Sequence, residues 1–273
     1  MKKEVPVLGA ALSLDMLELH RDWVLESQRD LELQSFCWPN TDPSDTPAMV
    51  ARAKRLLDGH SGRRGLHGPF MSFNIDCVDP AITEIIQTRM RRTLDICAEL
   101  GADQMVIHSP YGMWNEADIA TSPAAGYIHV ERVRYVLGPV IAQAEALGVE
   151  LVIENVEDID PLARLRLAEA LKSPMVKLSL DTGHAQLMHA RAGAPPVDAF
   201  VQAAGAALHH VHLQDIDGFA DRHWHPGEGV IAWHAVFAAL GRLVRMPRLI
   251  LEVNDERGIR RGAEYLAARG LAR

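Results

Sequence analysis

The chain of 273 residues has few cysteines and no long uninterrupted hydrophobic run. Because its three cysteines, Cys37, Cys77 and Cys97, form no CxxC pair, we expect free thiols in a reducing compartment. No stretch is long and apolar enough to span a bilayer, and the start MKKEVPVLGAALSL lacks the apolar core and cleavage site of a secretory signal. The sequence therefore predicts a soluble, cytoplasmic protein with no membrane partner.

Runs of basic residues are also lacking. Lys and Arg total 28 against 36 Asp and Glu, which gives a net charge of −8. No cluster of Lys and Arg indicates a sequence-independent grip on a phosphate backbone. Since a local basic rim can sit on an acidic protein, this balance disfavours a nucleic-acid partner without excluding one.

What the chain has in quantity is apolar surface, because 48% of its residues are hydrophobic, enough for one large core. Short apolar runs alternate with longer amphipathic stretches from end to end. The apolar runs cover residues 5–12, 31–36, 64–69, 104–109, 149–155, 176–182, 209–215 and 248–253. The helix-like stretches cover residues 15–29, 47–59, 80–100, 128–147, 161–171, 197–206, 233–243 and 256–269.

Strand–helix alternation repeated eight times predicts an α/β fold, a (β/α)8 TIM barrel, formed by residues 1–273 as a single domain. A doubly wound sheet is the alternative, but the Gly-rich phosphate loop expected after its first strand is missing. Residues 110–127 and 214–232 form long connections without helical periodicity, after the fourth and seventh strands. Such loops commonly build the pocket at the carboxyl end of a barrel.

Metal-ligand-type side chains stand where six successive apolar runs end. A buried strand has no internal use for an imidazole or a carboxylate at its end, so their recurrence predicts one shared site at one end of the barrel. These strand-end residues are His67, His108, Glu154, Asp181, His212 and Glu252. His184 follows Asp181 by one helical turn, and the loop DRHWHPGEG adds Asp221 and His223.

Each of these residues also has a structural interpretation. His67 could be a hydrogen-bonded structural histidine, Glu154 half of a buried ion pair, and Asp181 a helix N-cap in DTGH. These interpretations predict no preference for one end of the strands, so the set as a whole favours a site. By strand alternation His210 lies on the same face as His212 but one layer deeper, where a core role is expected.

The chemistry of four of these residues suits a divalent ion. Glu154, Asp181 and Glu252 supply three anionic oxygens and His212 supplies a nitrogen, a set appropriate to Mn²⁺, Zn²⁺ or Co²⁺. The remaining five could bind a second and a third metal or could orient substrate through imidazole hydrogen bonds, and the sequence leaves both interpretations open. These five are His67, His108, His184, Asp221 and His223.

The strings IEN, LDTGH, HVHLQD, DRHWHPGEG and LEVN resemble the xylose isomerase-like TIM-barrel superfamily, and they cover nearly the whole chain in the expected order. That superfamily includes sugar epimerases and isomerases, inosose-processing enzymes and endonuclease IV. In the epimerase branch the resemblance implies a single ion on Glu154, Asp181, His212 and Glu252, with the two glutamates moving protons on opposite faces of the substrate. It also implies that His184 binds substrate and that Arg222 falls near a substrate-binding arginine.

In endonuclease IV the nine positions hold a three-zinc cluster that cleaves DNA beside abasic sites, and this chain keeps all nine residue types. The segment LQDIDGFA is nevertheless short for that enzyme, and HGPFMSFN resembles the third-strand motif of sugar phosphate isomerases or epimerases. Phe70 could stand where the endonuclease inserts an aromatic ring into DNA, or it could pack on a sugar.

The function expected is a metal-dependent isomerisation or epimerisation of a sugar, sugar phosphate or polyol through an enediolate, with Glu154 and Glu252 as the catalytic pair. We expect substrate contacts from His108, His184, Arg222, His223 and Trp114. The alternative is an endonuclease IV-like multi-zinc hydrolase, and the third hypothesis is a non-enzymatic barrel that keeps its metal for structure or sensing. Dimers and tetramers are common among the relatives, which makes a homo-oligomer an expectation by analogy.

Overall fold

A closed barrel of eight parallel strands forms the centre of the computed structural model, which describes residues 5–273. Each strand pairs with the next along the chain, and the eighth closes onto the first, which confirms the predicted (β/α)8 barrel. Residues 1–4, which belong to the predicted domain and to the N-terminal segment, lie outside the described residues. The strands are β1 Gly9–Leu12, β2 Leu31–Leu33, β3 Arg64–His67, β4 Gln104–His108, β5 Glu150–Glu154, β6 Val176–Asp181, β7 Leu208–Leu213 and β8 Arg248–Leu251.

The strands are short, apolar and buried on both sides, as expected of a parallel sheet covered by helices. Their register brings the ligand-type residues to one rim. His108 pairs with Glu154 across β4 and β5, and Asp181 pairs with His212 across β6 and β7. The carboxyl ends of neighbouring strands therefore present imidazoles and carboxylates at the same level of the barrel.

Helices surround the barrel, and several begin and end at residues with a clear capping role. Ser13 and Asp79 accept hydrogen bonds from first-turn N–H groups, while Gly101 and Gly148 end two helices with φ of 64° and 70°. In residues 5–273 the α-helices are α1 Leu14–Glu26, α2 Thr46–Leu56, α3 Pro80–Leu100, α4 Met113–Thr121, α5 Pro123–Leu147, α6 Ala163–Leu171, α7 Thr182–Ala192, α8 Val197–Ala204, α9 Trp233–Leu240 and α10 Arg260–Ala268.

Two helices lie outside the predicted helix-like stretches. The connection over 110–127 contains α4, whose one buried residue is Glu116, so it has no apolar stripe to reveal it. The Glu116 carboxylate instead accepts the N–H groups of Ile159 and Asp160 at 2.6 and 2.5 Å. α7 starts on the Asp181 N-cap and buries small and polar residues in its first turn, so its hydrophobic periodicity is also weak.

Among the helices of the described residues, none combines the length and the apolar character needed to cross a membrane. The amino-terminal end of the barrel is closed by charged side chains. The Arg248 guanidinium donates to the carbonyl of Arg64 at 2.7 Å and pairs with Asp103 at 2.5 Å. The His209 ring lies 2.9 Å from the Glu150 carboxylate, and both side chains line a cavity at this end together with Gln104 and Arg248.

Candidate active site and metal centre

A cavity of about 290 Å³ opens at the carboxyl-terminal mouth of the barrel. Four histidines and four carboxylates line it, together with the aromatic rings of Trp38 and Phe70. The ionisable lining residues are His67, His108, Glu154, His184, Asp221, His223, Glu252 and Glu256. Among the described residues no Lys or Arg lines this cavity, so its walls favour cations and uncharged polar groups over anions.

The centre of the site is a group of four side chains contributed by the ends of β5, β6, β7 and β8. Glu154, Asp181, His212 and Glu252 each offer one ligand atom within 4.8 Å of the others, and all four are buried. The Nδ1 atom of His212 lies 2.9 Å from Glu154 Oε2 and 3.3 Å from Glu252 Oε2. These are the four residues that the sequence groups together.

Two further groups of potential ligands flank the central one. His67 and His108 converge with Glu154 on one side, and their rings meet edge to face at 5.2 Å. On the other side His184 and His223 approach the Asp221 carboxylate at 3.3 and 3.2 Å. The structure therefore brings all nine ligand-type residues to one end of the barrel, with Glu154 shared by two groups. Seven of them line the cavity, while Asp181 and His212 are fully buried beside it.

Buried carboxylates govern the electrostatics of this site. Burial opposes protonation of the His212 ring, but Glu252, Glu32 and Glu154 outweigh burial and raise its pKa well above the ordinary value. The same competition raises the pKa of His184, where Asp181, Asp221 and Glu154 outweigh burial. The carboxylates thus concentrate enough negative potential to hold positive charge in a desolvated place.

The other ionisable groups respond to the same burial. Desolvation raises the pKa of Asp181 to about 6 and lowers the pKa of His108 to about 3. Burial would also raise the pKa of Glu154, but the nearby His212, His184 and His108 reverse the effect and lower it well below its ordinary value. Glu154 is therefore an anion and His108 a neutral imidazole at physiological pH.

The central group fits a divalent cation. Three of its buried atoms, Glu154 Oε2, Asp181 Oδ2 and His212 Nδ1, have no hydrogen-bond partner of acceptable geometry among the described residues. Buried polar atoms without partners are costly, and these three converge on one point. Two or three carboxylate oxygens with one imidazole nitrogen form a donor set suited to Mn²⁺, Zn²⁺ or Co²⁺.

Glu32 lies directly beneath this group, a position that the sequence analysis missed. Its carboxylate is 3.1 Å from the Nε2 atoms of both His210 and His212. An ionised carboxylate can only accept, so the His212 Nε2 atom donates to Glu32, and the Nδ1 atom of the same ring faces Glu154 and Glu252. The His210 Nε2 atom lies at the same distance but makes no hydrogen bond of acceptable geometry among the described residues. On the far side of the His210 ring, Nδ1 lies 2.8 Å from Ser179 Oγ.

The signal for Glu32 was present in the sequence as a lone acidic residue inside the short apolar run LEL. A carboxylate in the middle of a buried barrel strand requires a partner inside the barrel. The alternation of β7 places His210 and His212 on the interior face, and these two residues are that partner.

Gln214 connects the central group to the Asp221 side of the site. Its amide nitrogen donates to Asp181 Oδ1 at 3.1 Å and to Asp221 Oδ1 at 3.0 Å, while its amide oxygen accepts the N–H of His223. The glycine of DTGH is explained by this side chain, because a Cβ atom on Gly183 would lie 2.1 Å from Gln214 Cδ.

Asp215 holds the loop 214–232 that carries Asp221 and His223. Its buried carboxylate accepts backbone N–H groups from Ile216, Gly227 and Ile231 at 2.8–3.1 Å and the indole N–H of Trp233 at 2.9 Å. One residue of this loop, His223, has φ of 47°, a left-handed conformation that is uncommon for a residue with a side chain. Backbone contacts therefore fix the direction in which the loop presents its imidazole.

Two predicted substrate contacts lie outside this cavity. The Trp114 side chain is 87% exposed on α4, and Arg222 pairs with Asp217 at 2.9 Å while lying near the rings of Phe219 and Trp224. Phe70, in contrast, lines the cavity and stacks on His108 with ring centroids 4.4 Å apart.

The comparison with protein families agrees with this geometry. Residues 30–269 match the model of the xylose isomerase-like TIM barrel family, and the chain belongs to that family. Among curated proteins, it is 26% identical over 218 residues to a ketose 3-epimerase of Arthrobacter globiformis. This match covers 76% of this chain and 68% of that protein. It is also 24% identical to the uncharacterized protein MJ1311 of Methanocaldococcus jannaschii. That match covers 71% of this chain and 66% of the archaeal protein, which is just under two thirds of its length.

Solved structures show the same fold. The TTHB071 protein from Thermus thermophilus, studied after soaking with ZnCl2, is 27% identical with a TM-score of 0.71, and the match covers 96% of each chain. The 3-keto-D-glucoside 4-epimerase from E. coli is 16% identical with a TM-score of 0.71, covering 96% of this chain and 99% of that one. At this identity the second likeness shows the fold alone.

Proposed function

We propose that this protein is a metal-dependent isomerase or epimerase of a ketose, a sugar phosphate or a related polyol. The observation that carries the proposal is the convergence of two buried glutamates, Glu154 and Glu252, on the Nδ1 atom of His212 at 2.9 and 3.3 Å. The ketose 3-epimerase among the relatives supports this substrate class. The cavity, rich in imidazoles and carboxylates, can offer many hydrogen bonds to hydroxyl groups.

The ion of the proposed enzyme would be held by Glu154, Asp181, His212 and Glu252, whose convergent buried atoms make the set suitable. When bound, a divalent cation would polarise a substrate carbonyl and acidify the neighbouring C–H bond. His212 would present Nδ1 to the ion because Glu32 holds its Nε2–H from below.

Proton transfer would be the task of the two glutamates. One carboxylate removes the proton from the carbon next to the carbonyl, and the C–H electron pair moves into an enediolate. The opposite carboxyl group, or a water, returns a proton to the same carbon in an epimerisation or to its neighbour in an isomerisation. Gln34 donates a hydrogen bond to Glu252 Oε1, and His184 Nδ1 lies 3.4 Å from Glu154 Oε1, so both carboxylates are oriented.

The walls of the cavity would orient the sugar. Phe70 and Trp38 meet edge to face with ring centroids 6.2 Å apart and offer apolar surface to the C–H face of a sugar ring. His108, His184 and His223 would hold hydroxyl groups. Arg222 and Trp114, which lie outside the cavity, would contribute after movement of α4 or of the loop 214–232, and their substrate contacts stay predictions.

The proposal is tested by metal analysis of protein purified without chelator or added metal, followed by incubation with ketoses, their phosphates and polyol-derived ketones. One tightly bound ion per chain and conversion of a ketose, lost on chelation and restored by the ion, are the expected results. A protein that retains its metal and converts none of these compounds would contradict the proposal.

The flanking ligand groups favour a second candidate, an endonuclease IV-like hydrolase acting on abasic DNA. The groups His67–His108–Glu154 and His184–Asp221–His223 stand beside the central one, so the nine side chains could hold up to three ions. Such clusters generate hydroxide for attack on a phosphodiester. Three zinc ions per chain together with nicking of abasic DNA would support this candidate, and one ion without nicking would eliminate it.

A further inference from the structure

A second cavity adjoins the first at the mouth of the barrel. Its volume is about 310 Å³, and it lies between the loop 34–45 that follows β2 and the outer face of α3. Cys37 and Trp38 line both cavities, so the two spaces share a wall formed by this loop. The two cavities are therefore neighbours that meet at Cys37 and Trp38, and Phe70 of the first directly follows Pro69 of the second along the chain.

The two cavities differ in charge. Within residues 5–273, the first is lined by four carboxylates and by no Lys or Arg, whereas the second is lined by Arg89 and Arg92 and by no Asp or Glu. Three threonine residues, Thr41, Thr46 and Thr93, accompany the arginines. Guanidinium groups beside hydroxyl groups are the side chains that recognise phosphate and carboxylate oxygens.

The arginines of this second cavity are not neutralised by ion pairs with other described residues. Arg92 donates to the carbonyl of Pro43 and to Thr46 Oγ1 at 2.6 and 2.7 Å, both uncharged acceptors, through a single nitrogen. The carboxylate of Asp42 lies close enough for Arg92 to help lower its pKa, but it bonds to Ser44. Arg89, within the part of the chain that the structure describes, has no side-chain hydrogen bond or ion pair.

Arg89 and Arg92 stand three residues apart on α3, and like charges at this spacing repel each other along a helix. An anion between them would remove that repulsion and would use the remaining donors of Arg92.

We infer that the second cavity is a subsite for the anionic group, a phosphate or carboxylate, of a substrate whose uncharged sugar portion occupies the first cavity. This inference rests on the proposed function, which accounts for the sugar portion. It narrows the substrate class to a carbohydrate that carries an anionic group. The anion itself would be bound by Arg89 and Arg92 independently of any turnover.

Direct titration with inorganic phosphate tests the subsite without relying on catalysis. Calorimetry at low ionic strength would compare the wild-type protein with Arg89→Gln, Arg92→Gln and the control Arg91→Gln, whose side chain bonds to Gln143 elsewhere on α3. Arg89→Gln and Arg92→Gln should each weaken phosphate binding by at least about tenfold, whereas Arg91→Gln should bind like wild type. Arg89 has no structural bond to lose among the described residues, so its variant stays informative if Arg92→Gln destabilises the loop.

Phosphate binding that is absent, or that is unchanged in Arg89→Gln and Arg92→Gln, would overturn the subsite. A second comparison identifies the source of the anion. If the protein converts ketoses, kcat/KM should be higher for a terminal ketohexose phosphate than for the free ketohexose, and Arg89→Gln should remove that advantage. Equal values for both substrates in the wild type would also overturn the inference, whereas failure to convert any ketose would leave the phosphate titration as its test.

Discussion

At the scale of single residues, the proposed proton transfer depends on two carboxylates in similar surroundings. Glu154 and Glu252 both approach His212, yet each is oriented by its own neighbour, His184 for Glu154 and Gln34 for Glu252. Two separately oriented carboxylates are what a proton transfer with distinct removal and return steps requires.

Glu154→Gln and Glu252→Gln should each lower turnover by about 10²–10⁴-fold, because an amide cannot exchange a proton with carbon. Far-ultraviolet circular dichroism and the melting temperature should stay near wild type, since the amide preserves shape. The matched control is Glu157→Gln, an exposed glutamate just after β5, which should keep full activity. Activity close to wild type in either active-site variant would remove that glutamate from the proton-transfer role.

Glu32→Gln should weaken metal binding by about 10–100-fold while the fold survives, because a neutral amide holds the Nε2–H of His212 less firmly than the carboxylate does. The measurement is the dissociation constant of the ion, obtained by competition with a chelator, and the control is Glu26→Gln on the exposed end of α1. Unchanged metal affinity in Glu32→Gln would show that this carboxylate serves packing alone.

The sequence predicts the position of a residue at the rim where a ligand-type side chain stands at the end of an apolar run. Asp181 and His212 could be placed because parallel strands in a barrel end at one rim. Glu32 and Gln214 were missed, since each acts through a contact between distant parts of the chain, such as Glu32 with His212. Arg222, expected from the resemblance, and Trp114 were both predicted to contact substrate, but pairing with Asp217 and exposure on α4 leave them outside the cavity.

At the scale of elements, the loop 214–232 is organised around one buried carboxylate. Asp215 collects four hydrogen-bond donors from Ile216, Gly227, Ile231 and Trp233, and it also pairs through its backbone with Trp224. The orientation of His223 therefore depends on a residue that faces away from the cavity.

Asp215→Asn should lower the free energy of unfolding by about 2–3 kcal/mol, because the amide accepts fewer bonds and turns its own N–H groups towards other donors. Chemical denaturation gives this value, and hydrogen exchange should show faster opening of residues 214–232 than of the barrel strands. Glu228→Gln is the control and should remain close to wild type, because this exposed side chain of the same loop accepts a single backbone bond, from His225 at 3.2 Å. Equal exchange in the two variants would contradict the anchoring role of Asp215.

Whether the ends of a helix could be predicted depended on the kind of signal that the sequence contains there. α3 was predicted to begin at Pro80 and to end before Gly101, because apolar periodicity and capping residues agree there. α4 was not predicted, and for α7 only the N-cap at Asp181 was considered. The first is held by polar contacts of Glu116, and the second buries Thr182, Gly183 and His184 in place of an apolar stripe.

At the scale of the whole molecule, stabilising ion pairs and the residues of the candidate site lie at opposite ends of the barrel. The amino-terminal end is closed by ion pairs such as Arg248 with Asp103, while the carboxyl-terminal end gathers the ligand-type residues around a cavity. The eightfold alternation of strand-like and helix-like stretches predicted this architecture, since the apolar periodicity of a strand differs from that of a helix. The second cavity beside α3 could not be predicted, because it depends on how the loop 34–45 packs.

Solvent deuterium exchange into a ketose tests the central claim most directly. Metal-loaded protein would be incubated in D₂O with ketoses and ketose phosphates, and the C–H next to the carbonyl would be followed by nuclear magnetic resonance. The account predicts deuterium at that carbon for at least one substrate, with exchange lost on chelation and in Glu154→Gln or Glu252→Gln. Absence of exchange in every ketose, by protein shown to contain its ion, would contradict the account.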